Sequence, residues 1–389
     1  MIKRSLFNEE HEMFRDTVRK FIDREIRPYH EQWEKDGIVP RELWLKAGEA
    51  GLLCCTVPEE YGGLGLTTEE EAHVIIALSW ASPAYRSLIG TTVGIGSQGI
   101  VIDGTPEQKS HFLPQLASGE KIASFCLTEP DSGSDAGSLR TRAARDGDHY
   151  VVNGTKRFIT NAPHAGLFTL MARTDPNEKG AAGVSAFIVD ADSPGIRFGR
   201  KDAKMGMRGA HTCDVIFEDV RVPAERIIGG VEGQGFKTAM KVLDKGRIHI
   251  GMICVGAAQR ILDEALRYAT ERRQFGQPIA NFQLVQAMLA DSRAELYAAR
   301  CMVMDAARRR DAGEKISTEA AATKLFCSEM VGRVADRALQ ILGGAGYTKE
   351  YVVERFYRDV RLFRIYEGTS QIQQLVIARN MLRQGPRVL

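Results

Sequence analysis

The stretch Arg364-Ile365-Tyr366-Glu367-Gly368-Thr369-Ser370-Gln371-Ile372-Gln373 sets one carboxylate between an aromatic residue and a glycine, with helical patterns before and after it. A carboxylate held in a helix break and desolvated by a bound substrate is a candidate general base. A solvated glutamate that caps the following helix carries the same local pattern. Taken alone, the stretch leaves both readings open.

Three further stretches carry chemical potential. In Leu127-Thr128-Glu129-Pro130-Asp131-Ser132-Gly133-Ser134-Asp135, small hydroxyl residues and a glycine follow a proline, which leaves backbone N–H groups free to face an anion or a heterocycle edge. A surface loop fits that pattern equally well. Glu271-Arg272-Arg273-Gln274-Phe275-Gly276 places two guanidinium groups after a helical stripe, where they could grip a phosphate or merely end a helix. Gly94-Ile95-Gly96-Ser97-Gln98-Gly99 matches the G-x-G-x-x-G dinucleotide pattern, but its flanks show no alternation of strand and helix. Close backbone packing or a roomy pocket explains these glycines better.

The elements that must position these residues fall into three stretches. Asn8 can cap a helix opened by Glu9 and Glu10, with Phe14, Val18, Phe21, Ile22 and Ile26 on one face. Thr67 with Glu70, and Thr105-Pro106-Glu107-Gln108, are capping-box signals, so the first 120 residues read as mostly helical. After Gly119 the chain turns β-rich, in the runs Tyr150–Val152, Arg157–Thr160, Leu167–Arg173, Val184–Val189 and Cys213–Phe217. Asn153-Gly154 stands between two of these runs as a hairpin signal. Strands without intervening helices predict an antiparallel sandwich or barrel.

From Gly233 onward helical periodicity returns. Ile261, Leu262, Ala265 and Leu266 form one stripe, and Val285, Met288, Leu289, Ser292, Leu296, Ala299, Val303 and Ala306 form a longer one. Leu325, Met330, Val334, Ala338 and Ile341 follow, until Gly343-Gly344-Ala345-Gly346 stops the helix. The expected architecture is α+β and multidomain: an N-terminal helical domain (1–122), a central antiparallel β sandwich or barrel (123–232) and a C-terminal helical bundle (233–389).

Composition bounds the function classes. With 389 residues, 44% hydrophobic and 26% charged, the chain can bury a sizeable core, and its net charge of +2 gives no footprint for nucleic acid or an anionic membrane. No apolar run reaches the length of a membrane span. The seven cysteines, Cys54, Cys55, Cys126, Cys213, Cys254, Cys301 and Cys327, show no metal-site spacing and read as thiols in a reducing compartment. Met1 to Glu12 lacks the apolar core of a signal peptide, so a cytoplasmic protein is expected.

Together the motifs resemble the acyl-CoA dehydrogenase family along essentially the whole chain. Thr128-Glu129-Pro130, Phe158-Ile159-Thr160, Arg272, Gly343-Gly344 and Tyr366-Glu367-Gly368-Thr369 occur in the family's order. The resemblance implies an FAD enzyme that removes one hydrogen from each of the α and β carbons of an acyl-CoA thioester. Glu367 would take the α proton, while its backbone N–H helps polarise the thioester carbonyl. Electrons would pass to an electron-transfer flavoprotein.

The resemblance further implies flavin contacts from Phe125, Leu127, Thr128, Ser134, Phe158, Ile159 and Thr160. It implies contacts from a neighbouring subunit through Arg272, Gln274, Gln283, Gln340, Gly343 and Gly344, hence a homotetramer built as a dimer of dimers. Thr369 and Gln371 would reach the adenine-side phosphates. Ser134, Asp244, Lys245, Gly246, Arg247 and Gly368 would meet coenzyme A, and no metal is implied.

Two positions refine the resemblance and one opens an alternative. Gly246 occupies the place where isovaleryl and long-chain members carry their base, which strengthens Glu367. Phe158 stands where many members have tryptophan. Arg86 stands where glutaryl-CoA members hold an arginine for the distal carboxylate, so a dicarboxylyl-CoA dehydrogenase is one alternative. An acyl-CoA oxidase or flavin monooxygenase on the same fold is another, and a non-enzymatic assembly factor a third.

Overall fold

The helix–sheet–helix order stands in the computed structural model, which describes residues 16–178 and 180–385. Asn8, Glu9, Glu10 and Phe14 lie outside the described residues. α1 covers residues 16–21 and continues as a wide turn, Ile22–Ile26, burying Val18, Phe21, Ile22 and Ile26 as their spacing predicts. α2 (His30–Asp36), α3 (Glu42–Glu49), α4 (Thr68–Ala81) and α5 (Pro83–Gly90) follow. A wide-turn helix (Thr91–Gly96), α6 (Gln98–Asp103) and α7 (Pro106–Ala117) complete this stretch.

Both capping boxes form. Thr67 and Thr105 accept from the backbone of Glu70 and Gln108, whose side chains accept in return, and Pro106 opens α7. The glycine-rich stretch is a packing device. A Cβ at Gly96 would lie 2.8 Å from the Ala123 Cβ, and one at Gly94 would lie 3.2 Å from His249 Nδ1.

A seven-stranded sheet follows in the order β1-β4-β2-β3-β7-β6, with β5 paired to β4. Its strands are β1 (Ala123–Cys126), β2 (Arg142–Asp146), β3 (His149–Thr160), β4 (Leu167–Arg173), β5 (Val184–Asp190), β6 (Ile196–Phe198) and β7 (Thr212–Pro223). Most pairings are antiparallel as expected, but β1 runs parallel to β4, and β2 touches β4 in parallel at one residue pair. Alternate residues of β4 and β5 enter two different cores. Leu167, Met171, Val184, Ala186 and Ile188 pack toward α7 and the start of the long C-terminal helix, while Phe168, Leu170, Phe187 and Val189 pack with β3 and β7. Burial on both faces explains why these strands read as unbroken apolar runs.

The Asn153-Gly154 expectation is overturned. Both residues lie inside β3, where the register against β7 shifts between Val152 and Gly154, so the glycine marks a bulge. The tight turn comes earlier, where Asp146 pairs with His149 around Gly147-Asp148 and Gly147 adopts φ +62°.

The C-terminal stretch is built on α8 (Gly235–Glu271), which packs on α4 and β5. A short hairpin of β8 (Arg273–Gln274) and β9 (Gln277–Pro278) leads into α9 (Gln283–Asp311), and α10 (Ser317–Leu342) packs on both α8 and α9. The α9 stripe is buried from Ser292 through Ala306, whereas Leu266 of the α8 stripe faces outward. Gly343, at φ +60°, ends α10. α11 (Val352–Val360) and α12 (Ser370–Gln384) close the fold, and the Glu367 break lies between them.

Candidate active site

The break is a strained turn fastened to α10. Glu367 adopts φ +52° and Gly368 φ +87°. For a residue with a side chain, that conformation costs about 1–3 kcal/mol and persists only where its surroundings impose it. Lys324 Nζ donates to the Gly368 carbonyl at 2.7 Å, and Gln373 Nε2 donates to the carbonyls of Glu367 and Gly368 at 3.2 and 3.0 Å. Ser370 Oγ donates to Glu329, which also pairs with Arg364, and the Thr369 hydroxyl caps α12. The capping role suggested for the glutamate thus belongs to Thr369, and Glu367 is left free of it.

Glu367 is half-buried, yet its Oε2 is sealed from solvent and has no hydrogen-bond partner. Burial raises its carboxyl to about 7, against the opposing pull of Lys324, Arg86 and Arg247. A carboxylate that titrates near neutrality is a competent general base. Gly246 of α8 faces it, and a Cβ there would lie 2.2 Å from Oε2 and 3.5 Å from Ile95. The glycine therefore leaves room for the Glu367 carboxylate.

Arg86 turns inward. It is 3% exposed, its Nη2 has no partner, and no carboxylate forms an ion pair with it among the described residues. A Cβ at Gly90 would overlap its Nη1, so Gly90 provides its space. Behind the site lies a buried cluster in which Glu71 Oε2 meets His249 Nε2 at 2.9 Å and Lys245 Nζ at 3.3 Å. Burial opposes charge on Glu71, but His249 and Lys245 hold it well below the usual carboxylate range. Burial also pushes His249 down to about 4, so its ring is neutral at physiological pH.

Lys245, also expected among the coenzyme A contacts, belongs to this buried cluster. Its ammonium group is buried and bonded to Thr56 as well as paired with Glu71, so only its backbone remains for a ligand. Asp244 and Arg247 form an ion pair on the same helix, beside Gly246.

The flavin-side residues converge from two strands. Ser124 Oγ donates to the Thr160 carbonyl, Arg157 N–H donates to the Thr128 carbonyl, and Lys156 Nζ donates to the Leu127 carbonyl. These bonds bring Phe125, Leu127 and Thr128 beside Phe158, Ile159 and Thr160. A bulge between Lys156 and Ile159 turns Phe158 out, with φ +59° and more than half its surface exposed. Ile159 instead sends its side chain into the sheet core, so only its backbone can face a ligand. An outward aromatic on a strand tied through the Thr128 and Thr160 carbonyls suits a planar heterocycle. Ser134 is exposed in the loop before residues Ala136–Ser138. Glu129 of that loop is structural, because it pairs with buried Lys156 at 2.8 Å and accepts from the backbone of Arg140 and Thr141.

Arg272, Gln274, Gln283, Gln340, Gly343 and Gly344 are all exposed at the other end of the helices. Arg272 follows α8, and at about 1.5 Å per residue it lies roughly 40 Å along the axis from Gly246. Thr369 is half-buried and Gln371 exposed at the start of α12. Sequence reasoning missed Lys324 and Gln373. For Lys324 a signal existed: it lies on the stripe Ala320, Lys324, Cys327, Val331, Val334 and Ala338, all buried.

Comparison with known proteins agrees with this geometry. Residues 8–120, 124–220 and 233–382 match the family profiles described as acyl-CoA dehydrogenase N-terminal, middle and C-terminal domains. A probable acyl-CoA dehydrogenase of Bacillus subtilis is 44% identical over 96% of this chain and 98% of its own. A 3-(aryl)acrylate reductase of Clostridium sporogenes is 41% identical over 97% of this chain and 100% of its own. A crystal structure of an acyl-CoA dehydrogenase from Geobacillus kaustophilus superposes with a TM-score of 0.94 at 38% identity, covering 97% of this chain and 99% of that one.

Proposed function

The chain belongs to the acyl-CoA dehydrogenase family of FAD-dependent oxidoreductases, and from that premise we propose that it converts an acyl-CoA thioester to the trans-2-enoyl-CoA with Glu367 as base. The observation that carries the reading is the Glu367 carboxylate: half-buried, with Oε2 sealed and unpartnered, and raised to about 7 opposite a glycine. Glu367 takes the α proton on its carboxylate, and its N–H donates to the thioester carbonyl as enolate-like charge builds. FAD, when bound, would supply the acceptor for the β hydrogen and its electron pair. Phe125, Leu127, Thr128, Ser134, Phe158 and Thr160, with the backbone of Ile159, would hold it from one subunit. Arg272, Gln274, Gln283, Gln340, Gly343 and Gly344 of a neighbouring subunit, and Thr369 and Gln371, would hold its phosphate and adenine end. Ser134, Asp244, Gly246, Arg247 and Gly368, with the backbone of Lys245, would hold coenzyme A.

The finer assignments belong to the same proposal: domains at 1–122, 123–232 and 233–389, a homotetramer, an electron-transfer flavoprotein as acceptor, and a cytoplasmic location. Six of the seven cysteines are buried free thiols, which supports a reducing compartment. A second reading is favoured by Arg86. A buried guanidinium with an unpartnered Nη2, contributing to the charge field at Glu367, suits an acyl group ending in a carboxylate.

One experiment tests both readings. The yellow holoenzyme and its Glu367→Gln variant are mixed anaerobically with plain and dicarboxylyl acyl-CoAs, and flavin bleaching is followed. Glu367→Gln should retain flavin and substrate binding while bleaching falls by about 10²–10⁴-fold. Wild-type bleaching in that variant removes Glu367 as base, and equal or better use of plain acyl-CoAs removes the Arg86 reading.

A further inference from the structure

Lys324 is a buried cation whose described hydrogen bond goes to a backbone carbonyl, with no ion pair among the described residues. Desolvating an ammonium for one carbonyl bond is unfavourable on its own. Its location gives a reason. The carbonyl is that of Gly368, and the same oxygen also accepts from Gln373, a fully buried side chain that reaches the Glu367 carbonyl as well. Two donors from two helices, α10 and α12, thus close on the two carbonyls that flank the strained turn. A Cβ at Gly368 would lie 2.6 Å from Gln373 Nε2, so the glycine is required for the clamp to close.

The cations around the base differ in how free they are. Arg247 is paired with Asp244, and Arg86 shares its field with Glu71. Lys324 has no such carboxylate partner, and among the charges facing Glu367 it exerts the largest pull on the carboxyl. The groups facing Lys324 in turn are Cys254, Glu367, Arg247 and Glu329. Burial holds Lys324 down to about 8, so it is still mostly charged at pH 7.

We propose that Lys324 and Gln373 are positioning residues: they lock the Glu367–Gly368 backbone in its left-handed turn, aiming the Glu367 carboxylate and N–H at the thioester, and Lys324 supplies the cation that keeps the carboxylate ionised. The inference rests on Glu367 as base. Both side chains bond backbone carbonyls of the turn, so their loss should act on proton abstraction more than on thioester binding.

The test uses the holoenzyme and reads deuterium incorporation from solvent at the α carbon of a saturated acyl-CoA, together with the pH dependence of kcat/KM. In Lys324→Met, exchange at pH 7 should fall about tenfold, and the acidic limb of the profile should move up by about one pH unit, the low end for loss of a nearby opposite charge. Gln373→Leu removes the clamp but no charge, so exchange should fall about tenfold with the limb unmoved and KM within about threefold of wild type. A wild-type limb in Lys324→Met overturns the electrostatic role. Wild-type exchange in Gln373→Leu overturns the clamp, and this variant decides the clamp if Lys324→Met does not fold. Glu367→Gln is the control: if it exchanges normally, the assignment of the base fails, whereas loss there with normal exchange in both other variants sinks only the present inference.

Discussion

A methyl group at position 246 would collide with the far end of the Glu367 side chain, not with backbone, and that distinction sets what a substitution there does. The carboxylate can swing aside at little cost to the fold, but in doing so it leaves its aim. Displacing a reacting group by about 1 Å costs on the order of 10²-fold in rate. Gly246→Ala should therefore lose about 10²-fold in kcat, with its melting temperature within about 2 °C of wild type, as a stability change of a few tenths of a kcal/mol implies for a chain of this size. A loss of activity that tracks unfolding in a thermal scan would contradict this. The Glu367 break was legible in the sequence because a carboxylate between an aromatic residue and a glycine is a local pattern, whereas its assignment as the base came only with the family resemblance. The clamp was not, because the Gly368 oxygen and Lys324 are separated by 44 residues and meet only when α10 packs under the turn. The inward course of Arg86 was equally hidden, since the vacancy at Gly90 that admits it is a matter of packing.

The sheet shows where local signals compete with tertiary ones. Asn-Gly favours a two-residue hairpin, but at Gly154 a Cβ would come within 2.5 Å of the Thr141 hydroxyl, so the glycine answers to a close approach between neighbouring strands. The hairpin was available in the sequence at Gly147-Asp148, a two-residue turn signal directly before His149. The Thr128-Glu129-Pro130 loop was legible as a motif, though not as a buried ion pair. Lys156 from β3 and Glu129 after β1 are both buried, and burial works against the charge of each while the pairing holds Glu129 below the usual carboxylate range. Removing one partner leaves an uncompensated buried charge, a loss of about 3–5 kcal/mol. Lys156→Met should accordingly shift urea unfolding by that amount. It should also shed flavin before it unfolds, because Lys156 ties the Leu127 carbonyl to the strand that presents Phe158. Unfolding at the wild-type urea midpoint would refute the account.

At the scale of the molecule, the length of α8 decides what one chain can do. Its 37 residues span about 55 Å, with Gly246 near one end and Arg272 just past the other. The resemblance assigns Gly246 to the substrate and Arg272 to the flavin, and within one chain these contacts lie roughly 40 Å apart along α8. In the proposed homotetramer a second copy would bring its distal end to the first copy's sheet. The exposed surface supports that arrangement: Phe275, at the tip of the β8–β9 turn, is 92% exposed and held at φ +52°. Leu284, Tyr347 and Leu382 are each more than four-fifths exposed. Monomeric proteins seldom present so many large apolar side chains to water, and rings of this sort serve as anchors at interfaces. Phe275→Glu places a charge at that anchor without touching the interior, so the subunit should stay folded by circular dichroism. Light scattering after size exclusion should find smaller species, and the flavin-to-protein ratio should fall in proportion to the loss of assembly. A dissociated Phe275→Glu subunit that keeps its full flavin would place the whole cofactor site within one chain and remove Arg272, Gln274, Gln283, Gln340, Gly343 and Gly344 from it.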